Sequence, residues 1–498
     1  MNTRRFASLL CLIASAALMS GCLLGPDFKR PSLKLPTRWV GAEETTPTRS
    51  TGPAVELGQW WGAFQDPTLN ALIDRAMKSN LDVRLAVERV RQARAALGQA
   101  ESSFWPTLDF SASYSRTHTR VPKPEVGSDV AGADTKRSSN TNMHRAGFDS
   151  VWEADIFGGV RRGVEASRAD LLSSELDLRN ALVTLTAEVG LDYLDLRALQ
   201  EQLRITRENL VTQKQSAEIT RRRYEVGIAS GLDQANAQAV VANTSAQIPS
   251  LESQIRQMIY RISYLLGEEP GALIAELDPP KPYPAVPPRL PAEMPATLLD
   301  RRPDIRSSEA ALHAATARIG VAMADLLPRL TLNAAASANA TKLGSWNREV
   351  TSAYSFGPSL SWNIFSGGLL WNRVKENRAV ADQALTRYQQ AVLTALQEVE
   401  TAWTAYNHEI ERGKALSVTV AQNRKALSLA TQLYTEGETD FLSVLVSEQA
   451  LLNSQNALIQ SRNNVAGNLV TLYKALGGGW TEGAAQAAQA NAPLAFSK

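Results

Sequence analysis

The side chains able to do chemistry are few and scattered. The four histidines, His118, His144, His313 and His408, never stand at the short spacings at which two could share a metal ion. Two cysteines, Cys11 and Cys22, cannot build a disulfide framework or a four-cysteine zinc site. The run Asp300-Arg301-Arg302-Pro303-Asp304 brings acids and bases together, as proton transfer requires. Pro303 fits better as the first residue of a helix, with the flanking charges capping it and facing solvent. Gly477-Gly478-Gly479 lacks the Lys and Ser or Thr of a phosphate loop, so it is expected to stop a helix. These patterns indicate a protein that is not an enzyme and needs no metal or cofactor. Its 498 residues carry 52 basic and 50 acidic side chains, for a net charge of +2. That balance argues against a nucleic-acid partner, whose phosphates would have to be neutralised.

Cys22 is the exception. Arg4 and Arg5 precede an uncharged apolar stretch, Phe6 to Met19, and the segment ends Leu18-Met19-Ser20-Gly21-Cys22. The stretch is too short to span a bilayer and reads as a secretory signal. Small residues directly before a cysteine resemble the lipobox of bacterial lipoproteins, in which the signal is removed and the thiol is diacylated. Residues 1–21 are therefore expected to be a signal peptide, and Cys22 the site of a covalent lipid. Several acyl chains anchor far more firmly than one. Loss of Arg4 and Arg5 takes the net charge from +2 to zero. Leu23 stands where an aspartate would favour retention at the inner membrane, so the anchor points to the outer membrane.

The elements that position these residues are written twice. Asp82-Val83-Arg84 recurs as Asp304-Ile305-Arg306, and Gly98, Pro106 and Leu108 recur at the same offset as Gly320, Pro328 and Leu330. Tyr224-x-x-Gly227 recurs as Tyr434-x-x-Gly437, and Leu266-Gly267 as Leu476-Gly477. Between these groups the offset shortens, so the first copy has the longer loop. The reading divides the chain into a first repeat over 22–278, a connector over 279–295 and a second repeat over 296–480. The connector holds eight prolines and cannot be helical. An Ala- and Gln-rich tail over 481–498 is expected to be disordered.

Each copy carries two runs of strict alternation. Leu108, Phe110, Ala112 and Tyr114 alternate with Asp109, Ser111, Ser113 and Ser115; Phe148, Trp152, Ala154 and Ile156 alternate with Asp149, Glu153 and Asp155. The second copy gives Leu330, Leu332, Ala334 and Ala336, then Tyr354, Phe356, Pro358, Leu360, Trp362 and Ile364. Runs of about 9–11 residues suit tilted strands that cross a bilayer. Four strands cannot close a barrel, and an open edge in lipid is costly. Two copies of the chain would give a plugged tube and three an open lumen. Residues 117–145 would form a longer outside loop and 342–350 a shorter one.

From Val160 to Gly227 no proline interrupts a helical pattern. Leu178, Leu182, Leu185, Val189, Leu196, Leu199, Leu203 and Leu210 follow coiled-coil spacing, with Asp192 and Thr206 at the missed positions. The second copy shows Tyr388, Val392, Ala395, Val399, Ala402 and Tyr406 at the same spacing. The expectation is a mixed α and β membrane protein whose strands continue into a long coiled coil.

Longer motifs make a family resemblance specific. They are Gly25-Pro26-Asp27-x-x-Arg30-Pro31, then Trp60-Trp61-x-x-Phe64-x-Asp66-Pro67, then Asn80-x-Asp82 and Ala475-Leu476-Gly477-Gly478-Gly479-Trp480. The chain resembles, over nearly its whole length, the outer membrane factors of tripartite efflux systems, in the lipoprotein or NodT branch of TolC/OprM-like proteins. The resemblance implies a homotrimer with a 12-stranded outer-membrane barrel and a helical barrel extending into the periplasm. It also implies contact with outer-membrane lipid, a periplasmic adaptor protein and an inner-membrane pump, of RND type. In such a family the helical tips form the periplasmic gate and meet the adaptor. Here the corresponding residues are Arg223, Tyr224, Gly227 and Asp233 in the first copy, and Tyr434, Gly437 and Asp440 in the second; after Leu445 the chain departs from the family pattern with Val446-Ser447-Glu448, and Glu448 joins Asp440 as a candidate for the constriction. The implied function is an exit duct for small toxic compounds such as antibiotics. The alternatives are the duct of a type I polypeptide secretion system and a coiled-coil envelope lipoprotein without a pore.

Overall fold

The computed structural model describes residues 23–36, 38–40, 56–120, 138–286, 298–342 and 350–491. A 3-10 helix (Leu57–Phe64) precedes α1 (Pro67–Ser79) and α2 (Leu81–Ser102), then β1 (Thr107–Arg120) and β2 (Ser138–Ala154). Next come α3 (Gly159–Glu225), α4 (Gly231–Leu265) and the short α5 (Ile274–Leu277) and α6 (Leu298–Arg301). The second half holds α7 (Pro303–Ala324), β3 (Arg329–Ala340), β4 (Thr351–Ser361), α8 (Leu369–Glu436), α9 (Phe441–Ala475) and α10 (Glu482–Asn491). The duplication is plain in the lengths. Helices of 22, 67 and 35 residues in the first copy are matched by 22, 68 and 35 in the second. The compact units are nonetheless not the two copies. One unit gathers Met1–Arg30, Ala93–Leu171 and Ala311–Leu385; the other gathers Pro31–Gln92, Leu172–Ala310 and Thr386–Lys498.

The first unit contains an antiparallel sheet in the order β1-β2-β3-β4. A lone hairpin is marginal at best, and here the two copies pair through β2 and β3. Phe110 lies opposite Phe148, Phe148 opposite Ala336, and Ala336 opposite Tyr354. One face is therefore apolar across all four strands, while Asp109, Asp149, Asn333 and Gly357 share the other. The strands run farther than expected: Thr117–Arg120 and Ser138–Arg145, read as loop, are paired strand. Their backbone ladder continues although their side chains are polar. Residues 121–137 and 343–349 lie outside the described residues.

The same unit has a clasp at its N-terminal segment. The buried Arg162 guanidinium donates to Leu24 O (2.9 Å), to the Asp27 carboxylate (2.7 Å) and to Glu165 (2.7 Å). Glu165 also meets His313 Nε2 at 2.8 Å, and Phe28 stacks on the His313 ring. Gly25, at φ +89°, passes so close to Gly320 that neither position has room for a Cβ.

The second unit explains the motif residues one by one. Trp60 is fully buried and stacked on Tyr473 at 5.7 Å, and Gly190 leaves the room its ring needs. Asp66 caps α1, accepting from Thr68 N at 2.8 Å, and takes the Tyr193 hydroxyl at 2.6 Å. Asn80 caps α2 through Asp82 N and Val83 N while donating to Leu265 O. The α3 seam is buried at Leu178, Leu182, Leu185, Val189, Leu196, Leu203 and Leu210, with Leu199 half-buried. On α8, Tyr388, Val392, Ala395 and Val399 pack with Ile305, Leu472 and Leu476. Gly477 and Gly479 adopt positive φ and stop α9, as expected.

Two expectations are corrected here. Arg302 does not face solvent. It is buried, paired with Asp304 and Glu398 at 2.7 Å, and donates to Ala475 O at 2.9 Å. Pro303 does begin α7, but Arg302 ties that start to the end of α9. The tail read as disordered is helical over Glu482–Asn491. Ala and Gln are good helix formers, the Thr481 hydroxyl accepts from Ala484 N, and Ala485 is buried. Residues 492–498 lie outside the described residues, as do 287–297, which take in the end of the connector; its described part, 279–286, is neither helix nor strand.

Asp192 breaks the leucine seam of α3. It is buried, with Arg261 Nε at 2.8 Å, and burial pushes its carboxyl up to about 6, with Asp195 and Glu188 adding to the shift. A raised carboxyl costs the folded state stability as pH climbs from about 4 through about 6. Asp192→Asn is expected to raise the unfolding free energy at pH 8 by on the order of 2 kcal/mol, and with it the melting midpoint, and to leave both unchanged at pH 4. Thermal melts of the two proteins across that pH range check it; a difference independent of pH would contradict the assignment.

Candidate functional site

Both helical tips of the second unit have the same backbone plan. Gly227 (φ +80°) ends α3, with Ile228 N bonded to Arg223 O at 2.8 Å. Gly437 (φ +86°) ends α8, with Glu438 N bonded to Leu433 O at 2.9 Å. Only a left-handed residue permits this stop without strain, which is why a glycine follows each Tyr-x-x. The return helices then use the same two residue types in exchanged places. Ser230 caps α4 and forms a reciprocal box with Asp233; Asp440 caps α9 and accepts from Ser443 N at 3.4 Å. Both carboxylates therefore serve as helix caps.

Arg223 joins the two tips. Arg223 of the first copy donates to Tyr434 O (2.5 Å) and Thr435 O (3.3 Å) at the end of α8, and its guanidinium lies 4.7 Å from the Tyr434 ring centre. A cation at the C-terminal carbonyls of a helix is favourably placed. Tyr434 is 5% exposed, packed on Phe441, with its hydroxyl 3.3 Å from Thr220 Oγ1. Its counterpart Tyr224 is 45% exposed. The copies have thus diverged: one tyrosine is a packing residue and the other is presented at the surface.

Glu448 does not join this cluster. It lies farther along α9, 5% exposed, and accepts from Ser216 Oγ at 2.7 Å. Burial pushes its carboxyl above the ordinary range, while the Ser216 bond pulls the other way. It belongs to a polar seam between α3 and α9. Thr206, Gln213, Ser216 and Thr220 are all buried, and Asn209 Nδ2 reaches Gln455 Oε1 at 2.9 Å. The sequence reading noted Thr206 but missed the rest. Their signal was available: they continue the spacing of the leucine seam toward the tip. Cys22 lies outside the described residues.

In the first unit the polar sheet face carries acids in facing positions. Asp109 is directly opposite Asp149, with Ser111 Oγ 3.4 Å from the Asp149 carboxylate. Like charges in register weaken a strand pair, so their presence asks for an aqueous surface.

Comparison with known proteins decides what such a sheet and such tips belong to. The model of the outer membrane efflux protein family matches residues 72–268 and 294–478, one copy of the repeat each. The chain belongs to that family. Nodulation protein T of Rhizobium leguminosarum bv. viciae is 32% identical over 93% of this chain and 92% of its own. The antibiotic efflux pump outer membrane protein ArpC of Pseudomonas putida is 31% identical over 97% of this chain and 98% of its own. The solved outer-membrane channel OprN superposes with a TM-score of 0.83 at 35% identity, covering 92% of this chain and 100% of that one.

As a family member the efflux protein resides in the outer membrane and extends into the periplasm. Three chains supply the 12 strands of one barrel, continued by long helices. The apolar sheet face then meets lipid, and the face bearing Asp109 and Asp149 lines the water-filled interior. A coiled-coil spacer without a pore is set aside by the same family match.

The Arg223 contacts make a direct prediction. Arg223→Ala removes charge-assisted bonds to Tyr434 O and Thr435 O and is expected to ease local opening of residues 433–441 by on the order of 2 kcal/mol. Amide exchange on the purified trimer should speed up there and nowhere in the sheet. Unchanged exchange at the tip would show that the contact does not hold it.

Proposed function

We propose that this efflux channel expels small toxic compounds, antibiotics among them, as the outermost part of a tripartite system. A periplasmic adaptor engages the tips around Tyr224, Gly227, Asp233, Tyr434, Gly437 and Asp440, and an inner-membrane pump of RND type supplies the energy. The chain performs no chemical step on its cargo. The observation that carries the reading is the bilayer-length sheet with one apolar face in a chain that also holds helices of 67 and 68 residues ending in capped tips. The 67-residue α3 alone is about 100 Å long, enough to reach far from the membrane. The name of ArpC supports antibiotics as cargo.

The gate lies in the tip half of the helices. There the seam is polar rather than leucine-rich, so it separates at lower cost than the rest of α3, and Arg223 holds it closed at rest. Asp233 and Asp440 are spent on capping, which leaves Glu448 as a buried acid inside the seam.

Cys22 is acylated and adds an anchor to the barrel. Next to it, Leu24 N meets Phe157 O at 3.3 Å, and the exposed Leu23 lies beside Gly158. A Cys22→Ser chain is still expected to insert, because the barrel itself holds the membrane.

The test is a strain deleted for the gene, complemented with wild type or Cys22→Ser. Growth and dye retention are measured across antibiotics, dyes and solvents. Hypersensitivity with retained dye, restored fully by wild type and partly by Cys22→Ser, is the expected result. An unchanged panel together with loss of a secreted polypeptide would replace this reading with polypeptide export. Loss of the Cys22→Ser protein from the outer membrane would overturn the role given to the barrel.

A further inference from the structure

The lipid-facing side of β1 changes chemistry part-way along the strand. From the helix-attached end it presents Leu108, Phe110, Ala112 and Tyr114, and then Arg116, His118 and Arg120. Alternate residues share a face, so all seven belong to one surface. The register carries that surface onto β2, where Tyr114 faces His144, Arg116 faces Asn142 and His118 faces Asn140. The histidines already have neighbours. His118 Nδ1 is 2.6 Å from Asn140 Oδ1, and the His144 ring is 4.7 Å from that of Tyr114. Among the described residues Arg116 and Arg120 form no ion pair, and no carboxylate of the described strands shares their end of this face.

Height in the membrane follows from strand length. β1 has 14 residues, and a tilted strand needs about 9–11 to cross the hydrocarbon. Counted from Thr107, the hydrocarbon ends near Arg116. Arg120 stands about 13 Å farther along the strand. Arginine on a barrel's lipid face is costly at mid-bilayer and nearly free at the interface, which is where these two lie. Barrel closure pairs β1 with β4 of the next chain. Ser352 and Tyr354, the residues of β4 on this face that stand nearest that end, carry no charge.

We propose that Arg116 and Arg120, flanked by Tyr114 and His144, dock the phosphates of a phosphorylated glycolipid in the outer leaflet. Guanidinium forks match phosphate oxygens in pairs, and among the described residues no carboxylate competes for them. Two cationic points at different heights suit a saccharide headgroup with more than one phosphate. A glycerophospholipid such as phosphatidylglycerol offers one. The tyrosine at the boundary suits the level where acyl chains give way to headgroups.

The experiment uses the full-length trimer in detergent with three probes: bis-phosphorylated lipid A, the same lipid freed of phosphate, and phosphatidylglycerol. Retained lipid is counted by native mass spectrometry, and binding is read from the thermal shift. Wild type should hold lipid A, with affinity falling about tenfold for each of Arg116→Gln and Arg120→Gln and further for the pair. Arg145→Gln, on the same sheet but its opposite face, should bind lipid A as wild type does. Equal lipid A binding by wild type and the paired variant overturns the proposal, and so does equal binding of the phosphate-free lipid. Phosphatidylglycerol held as tightly as lipid A overturns the choice of a glycolipid. Should the paired variant fail to trimerise, the single variants decide alone.

Discussion

Two unpaired strand edges govern the architecture. β1 and β4 end the sheet of a single chain, and each exposes a row of backbone donors and acceptors. In water that is tolerable; in hydrocarbon each unpaired group costs several kcal/mol, more than any side-chain contact could return. The remedy is a neighbour presenting the complementary edge, and another copy of the chain does so. Inside the chain the second strand of copy one pairs with the first strand of copy two, as β2 with β3. Between chains the second strand of copy two meets the first strand of copy one. The contact between subunits thus repeats a contact the chain already makes within itself.

The long helices are under a different constraint. A coiled coil is as firm as its seam, and the seam of α3 changes character along its length. At the heptad positions Leu178 to Leu203 is apolar apart from Asp192, although Thr186, Arg197 and Gln200 are buried beside it, whereas Thr206, Gln213, Ser216 and Thr220 are buried nearer the tip, with Leu210 among them. Polar residues at such positions hold register at a cost in stability. The firm stretch and the soft stretch belong to one uninterrupted helix of 67 residues. Opening can then be confined to one end without a hinge, a proline or a break in the backbone ladder.

Much of this was legible in the sequence because it rests on periodicity. Alternation at Leu108–Ser115 and Tyr354–Ile364 marks strands, heptads mark the long helices, and glycines at 227 and 437 mark their ends, each a local rule with a local cause. What escaped depends on contacts between distant segments. Nothing near Arg302 in sequence shows that Glu398 and Ala475 O wait for it, and a charged run beside a proline looks solvated. The paired stretch Ser138–Arg145 was read as loop because its residues are polar, yet a strand beyond the hydrocarbon needs only a backbone partner. Asp233 and Asp440 were legible as helix-start acids. That Glu448 lies inside a seam, bonded to Ser216, required the two helices to be seen together.

Duplication by itself predicts two equal tips, and the structure has unequal ones. In copy one the basic residue before tyrosine is kept as Arg223, and in copy two that place is Leu433. One guanidinium reaches across to the carbonyls at Tyr434 and Thr435, and the apolar Leu433 offers no matching donor to the end of α3. Tyr434 is consequently drawn into the packing beneath that guanidinium, and Tyr224 is left outside. Within each chain the two tips therefore differ, one with its tyrosine packed away and the other exposing an aromatic ring. A symmetric opening of six identical hairpins is not available to this molecule. Movement should begin where the polar seam and the single Arg223 contact coincide, which is at the junction of the two copies within each chain.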